Sequence, residues 1–89
     1  MTKDFNKLKE ALMADKKWPQ QYMFKFIVPN DNKSFDLVKA MMPYPEKVTY
    51  RTSKDIRYIA MSYKQYMKTP QDVIDIYEKV STVENVIIL

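Results

Sequence analysis

The sequence predicts an α+β domain in which a four-stranded antiparallel sheet carries two helices on one face, with a further helix at the N-terminus. Three observations carry that prediction. Four runs rich in β-branched and aromatic residues, "QYMFKFIV", "VTYRTS", "IRYIAMSYKQY" and "NVIIL", are interrupted by two segments whose apolar residues recur at helical spacing. Prolines 19, 29, 43, 45 and 70 fall at the junctions between these segments and not inside them. With 89 residues, 46% hydrophobic and 29% charged, the chain has the composition of one compact domain and no room for a second core.

The elements follow in order. Phe5, Leu8 and Leu12 form a narrow apolar stripe, so residues 3–16 read as an amphipathic helix with Thr2 or Asp4 as N-cap. Pro19 breaks it, which divides the chain into an N-terminal helix over 1–17 and a domain over 18–89; Trp18 is expected to pin the one to the other. In residues 21–28, Tyr22, Phe24, Phe26 and Val28 alternate with Met23, Lys25 and Ile27, and the first set is assigned to the core. Pro29 ends that strand. Asp31, Asn32 or Ser34 is placed to cap a helix with Phe35, Val38 and Met42 on its apolar face, stopped by "PYPEK".

Residues 48–53 and 56–66 read as a hairpin around Lys54-Asp55. In a chain without glycine this requires a longer loop or Asp55 in left-handed geometry. Thr69-Pro70-Gln71-Asp72 supplies an N-cap, a first-turn proline and an acid ahead of Val73, Ile76, Tyr77 and Val80. Residues 85–89 form a last strand. Right-handed crossovers of the two split β-α-β units then give the strand order 4-1-3-2, a ferredoxin-like arrangement. One sheet face stays open unless the N-terminal helix or a second subunit covers it. By parity it shows Met23, Lys25, Ile27, Arg51, Tyr58, Ala60, Ser62 and Lys64.

Composition removes whole classes of function. No cysteine and no histidine means no disulfides, no thiolate chemistry, none of the commonest zinc ligands and no ordinary neutral-pH base, so no metal, cofactor or catalytic residue is assigned. No apolar stretch suggests a signal peptide or membrane span, and a cytoplasmic location is the expectation. The charge of +4 is localised: Lys47, Arg51, Lys54, Arg57, Lys64 and Lys68 face one acid, Asp55, while the rest of the chain nearly cancels. Such an excess suits an acidic partner or a small anion, or only keeps the surface solvated.

Candidate contact residues are therefore Lys25, Arg51, Lys54, Arg57, Tyr58 and Lys64. The strand-helix loop adds Asn30, Asp31, Asn32 and Ser34, although it lacks the arginine and glycine that a phosphate-handling loop of acylphosphatase type would use. Base stacking on the open face would rest on Tyr58 alone, because Ala60 and Ser62 occupy the next two outward positions, so nucleic acid is disfavoured.

Taken in order and spacing, "YMFKFIVP", "TSKDIRYIAMS" and "YEKVSTVENVIIL" resemble the YbeD-like family of small bacterial domains of unknown function, over about Trp18 to Leu89. The recurring features fall on Phe24, Lys25, Phe26, Ser53, Lys54, Tyr58 and Val86 to Leu89. The resemblance implies a fold similar to ACT-like regulatory domains, which bind small ligands, often amino acids, and control metabolic enzymes. It implies no catalytic residues. Two positions depart from the pattern: Asp55 and an apparent extra residue stand where the family carries glycine after the Ser-Lys turn, and "PNDNKS" stands where ACT ligand loops carry glycine. The expectation is a non-enzymatic regulatory or interaction module that docks a protein partner or itself through the open face or basic hairpin. A ligand-sensing ACT-like domain is the alternative, and an RNA-binding module the second.

Overall fold

The computed structural model describes residues 5–31 and 33–89, so the proposed caps Thr2 and Asp4, and Asn32, lie outside the described residues. Along the chain run α1 (Asn6–Ala14), β1 (Gln20–Pro29), α2 (Ser34–Met41), a 3₁₀ turn (Pro45–Lys47), β2 (Val48–Thr52), β3 (Tyr58–Met67), α3 (Pro70–Val80) and β4 (Ile87–Ile88). The strands form one antiparallel sheet in the order β2-β3-β1-β4, which counted from the β4 edge is 4-1-3-2.

Register follows from alternation. Pairing Phe24 with Tyr63, Phe26 with Met61 and Val28 with Ile59 puts all six of these buried side chains on one face. There they meet Val38 and Met42 from the α2 segment and Val73, Ile76, Tyr77 and Val80 from α3, so both helices cover the same side. A one-residue slip would send this entire set to solvent, which is why the pattern specifies the register.

Tyr77 is the centre of this layer. Its ring lies 5.3 Å from Phe24, 6.0 Å from Phe26 and 6.2 Å from Tyr22, and its hydroxyl is 2.9 Å from the Tyr22 hydroxyl. Phe5 stacks on it at 5.8 Å and carries α1 onto α3. The N-terminal helix therefore joins the helical layer and leaves the opposite sheet face uncovered. Trp18 is partly buried against the core and donates its indole N–H to the Leu12 carbonyl at 2.8 Å, tying down the end of α1. At the start of α3 the Thr69 hydroxyl accepts from the Asp72 N–H at 3.2 Å, with Pro70 in the first turn where no donor is missed.

Two expectations are corrected. The hairpin takes the longer loop, residues 53–57 between β2 and β3, and its left-handed residue is Ile56, with φ 55°, and not Asp55. The Asp55 carboxylate is engaged in accepting from the Ser53 hydroxyl at 2.8 Å and the Arg57 N–H at 3.2 Å, which passes the reversal to the next residue. The last strand is also shorter than residues 85–89: Asn85 sits at φ 63° and Val86 turns into the core, so pairing is confined to Ile87 and Ile88.

Candidate functional site

The open sheet face gathers most of the predicted contact residues. Register places Ile27 of β1, Ala60 of β3 and Arg51 of β2 side by side, and in the next row Lys25, Ser62 and Thr49. Lys64 pairs with Met23 one row further, and Tyr58 pairs with Pro29 at the other end. Ile87 adds an apolar side chain from β4, opposite Ile27. None of the four strands contains an Asp or Glu, so the cations Lys25, Arg51 and Lys64 share the face with apolar and neutral groups only. All three are exposed, and their side chains make no hydrogen bond or ion pair among the described residues.

The face is dented. Ala60 presents a methyl group between larger neighbours, and a hollow of about 360 Å³ opens there, bounded by Ile27, Arg51, Ser53, Tyr58 and Ile87. A second hollow continues over Ser62, between Lys25, Thr49 and Arg51. Tyr58, 44% exposed, stands at the hairpin end, and beyond it Arg57 lines a third hollow with Pro29, Asn85 and Ile87.

Not every candidate joins this cluster. Arg57 is held by an exposed ion pair to Asp55 at 3.7 Å, of little energetic weight in water. Lys54 sits in the turn and lines none of these hollows. Lys47 and Lys68, part of the basic segment, point elsewhere: Lys47 donates to Gln65 at 2.7 Å and lies 5.3 Å from the Tyr44 ring, and Lys68 borders a separate hollow beside Tyr66 and Asp72. The basic run thus divides between surfaces that sequence proximity had joined. Ile87 was missed, because its facing follows from the phase of β4, which a two-residue strand does not reveal.

The strand-helix loop serves the fold. The Asp31 carboxylate accepts from the Ser34 N–H at 2.6 Å, the Lys33 N–H at 2.9 Å and the Ser34 hydroxyl at 2.9 Å. Those bonds, the Ser34 N–H first, hold its carboxyl below the usual aspartate range. The N-terminus of α2 therefore already has its anion. Asn30 braces the hairpin: its side chain donates to the Ile56 carbonyl and its backbone N–H to the Arg57 carbonyl, each at 2.8 Å. The hollow beside this loop is bordered by Asp31 and Glu84 as well as Lys33, an unfavourable setting for a second anion.

Among the described residues no group of three or more acidic side chains is arranged to hold a metal ion, and no helix is long and apolar enough to cross a membrane. No family model matches the chain, and neither a curated protein nor a solved structure matches it.

Proposed function

We propose that the chain is a non-catalytic docking module whose open sheet face binds an acidic surface on a partner protein. The observation that carries this reading is the pairing of three cations, unpartnered among the described residues, with the apolar side chains of an acid-free sheet face. Mixed apolar and charged faces of this kind suit protein contacts, in which opposite charge steers encounter and the apolar centre supplies affinity. A second copy laid face to face would oppose cations with cations, so the charge favours a different protein over self-association.

The β-α-β-β-α-β order supports a ferredoxin-like, ACT-like arrangement. With the YbeD-like resemblance it favours a regulatory role in the bacterial cytoplasm. Ligand sensing at the strand-helix loop is the weaker reading, since Asp31 fills that helix terminus. RNA binding would rest on Tyr58 and Tyr66, exposed at opposite ends of β3 and separated on that face by Ala60, Ser62 and Lys64, which is no continuous stacking platform.

The test is affinity capture from a bacterial lysate with the wild-type chain and the Lys25→Glu/Arg51→Glu double variant, followed by reconstitution from purified components. Docking at this face requires a protein that binds the wild type, releases as salt rises, and is lost with the double variant while the variant stays folded. Equal capture by both chains would refute it. So would turnover of a phosphate or acyl substrate abolished by changes in residues 29–34. Oligonucleotide binding lost on Tyr58→Ala would transfer the face to nucleic acid.

A further inference from the structure

We infer that the dent over Ala60 is a binding site for a small amphiphilic carboxylate, its apolar body lying on Ile27, Ala60, Ile87 and the Tyr58 ring and its carboxylate on the Arg51 guanidinium. The volume of about 360 Å³ lies within the usual range for small-molecule sites, roughly 300–1,000 Å³. Its cause is a size mismatch across three strands: a methyl group at Ala60 sits in register between Ile27 and Arg51, so the floor is recessed by side-chain length and not by any gap in the backbone.

The chemistry of the lining selects the ligand. The floor and far wall are hydrocarbon and ring, which an inorganic ion would leave unused and an aliphatic or aromatic body would cover. Of the polar side chains, the Ser53 hydroxyl is committed, donating to Asp55 and accepting from the Tyr58 N–H at 3.2 Å. Arg51 is uncommitted among the described residues, and its planar fork matches a carboxylate with two parallel hydrogen bonds. Lys25 stands in the adjoining hollow as a second cation. A cationic ligand would find hydroxyls, from Thr52 and Tyr58, but no anionic partner, because no strand carries an acid and the nearby Asp55 is engaged by Ser53 and Arg57.

The hairpin wall is held in place before any ligand arrives. Asn30 fastens the Ile56 carbonyl, and Ser53 closes the turn through its carbonyl, N–H and hydroxyl. A wall so braced has little left to order on binding.

The test is a titration of the ¹⁵N-labelled chain, followed by amide NMR, with hexanoate and with 3-phenylpropanoate, against hexan-1-ol and inorganic phosphate at matched concentration and ionic strength. Both acids should give saturable shifts centred on Ile27, Arg51, Tyr58 and Ala60, with dissociation constants of about 1 mM or tighter, while alcohol and phosphate leave these amides unsaturated. Arg51→Gln should weaken binding by about tenfold or more, equivalent to about 1.4 kcal/mol, and Ala60→Leu should abolish it by filling the dent. The spectra also report whether each variant is folded, and both changes are on the exposed face. Absence of saturable shifts with the acids, an equal response to alcohol or phosphate, or an unchanged affinity in Arg51→Gln overturns the assignment. The experiment uses only purified chain and defined acids, so its failure leaves protein docking to be judged on its own capture data.

Discussion

Replacing Tyr22 by phenylalanine should cost more stability than the same replacement at Tyr77, although Tyr77 is the more buried of the two. Their hydroxyls are 2.9 Å apart, Tyr77 is 2% exposed, and Tyr22 is partly open to solvent. Burial, with the Tyr22 hydroxyl second, pushes the Tyr77 phenol far above its ordinary pKa, so it is a neutral hydroxyl at neutral pH. Tyr22→Phe leaves that buried hydroxyl without a partner and incurs its desolvation cost of roughly 1–3 kcal/mol. Tyr77→Phe leaves the Tyr22 hydroxyl, which water can reach, and should cost about 0.5–1.5 kcal/mol. Removing both hydroxyls leaves nothing unpaired, so the double variant should be no worse than Tyr22→Phe alone, a coupling on the order of 1 kcal/mol. Urea unfolding at unchanged slope reads these differences directly, and in a domain of this size each kcal/mol should move the thermal midpoint by roughly 4–8 °C. Additive single effects, with Tyr77→Phe the more damaging, would refute the reasoning.

Three further outcomes follow from other contacts. Ile56→Asn should stabilise the chain by about 1 kcal/mol in chemical denaturation, because a β-branched residue at φ 55° and 69% exposure loses little packing when exchanged for one that tolerates left-handed geometry. Thr69→Ala should cost about 1 kcal/mol by the same measurement, since the Asp72 N–H loses its cap. Asp31 has a folded pKa below its ordinary value of 3.8, so its contribution is present above that value and is lost as pH falls through the folded one; urea midpoints should drop on acidification, and the wild-type curve should converge on that of Asp31→Asn at the acid end.

Much of the fold was legible because alternation and capping act locally. Phe24, Phe26 and Val28 against Met23, Lys25 and Ile27 set the two faces of β1, and the sizes of the buried set left one register. Thr69-Pro70 marked the start of α3 by the same local logic. The turn was less legible, because whether Asp55 or Ile56 takes the left-handed conformation depends on where the Asp55 carboxylate finds its donors. Lys25, Arg51, Tyr58 and Lys64 could be placed on one face from parity alone. The dent could not, since it needs Ala60 to stand between Ile27 and Arg51 from strands distant in sequence. Nor could the dispersal of Lys47, Lys54 and Lys68, which charge counting along the chain treats as neighbours.

The brevity of β4 has a consequence for how the sheet opens. Its pairing reaches only Phe26 and Ile27 of the ten-residue β1, with one further bond from the Leu89 N–H to the Lys25 carbonyl. The Asn30 bond to Arg57 fixes the phase of β1, so even-numbered amides are directed to β3 and odd-numbered ones to the β4 side. Gln21 and Met23 therefore point their N–H groups to where no strand is paired. Amide exchange along this one strand should alternate, slow at Tyr22 and Phe24 and fast at Gln21 and Met23, so that a central strand in the topology behaves over half its length as an edge.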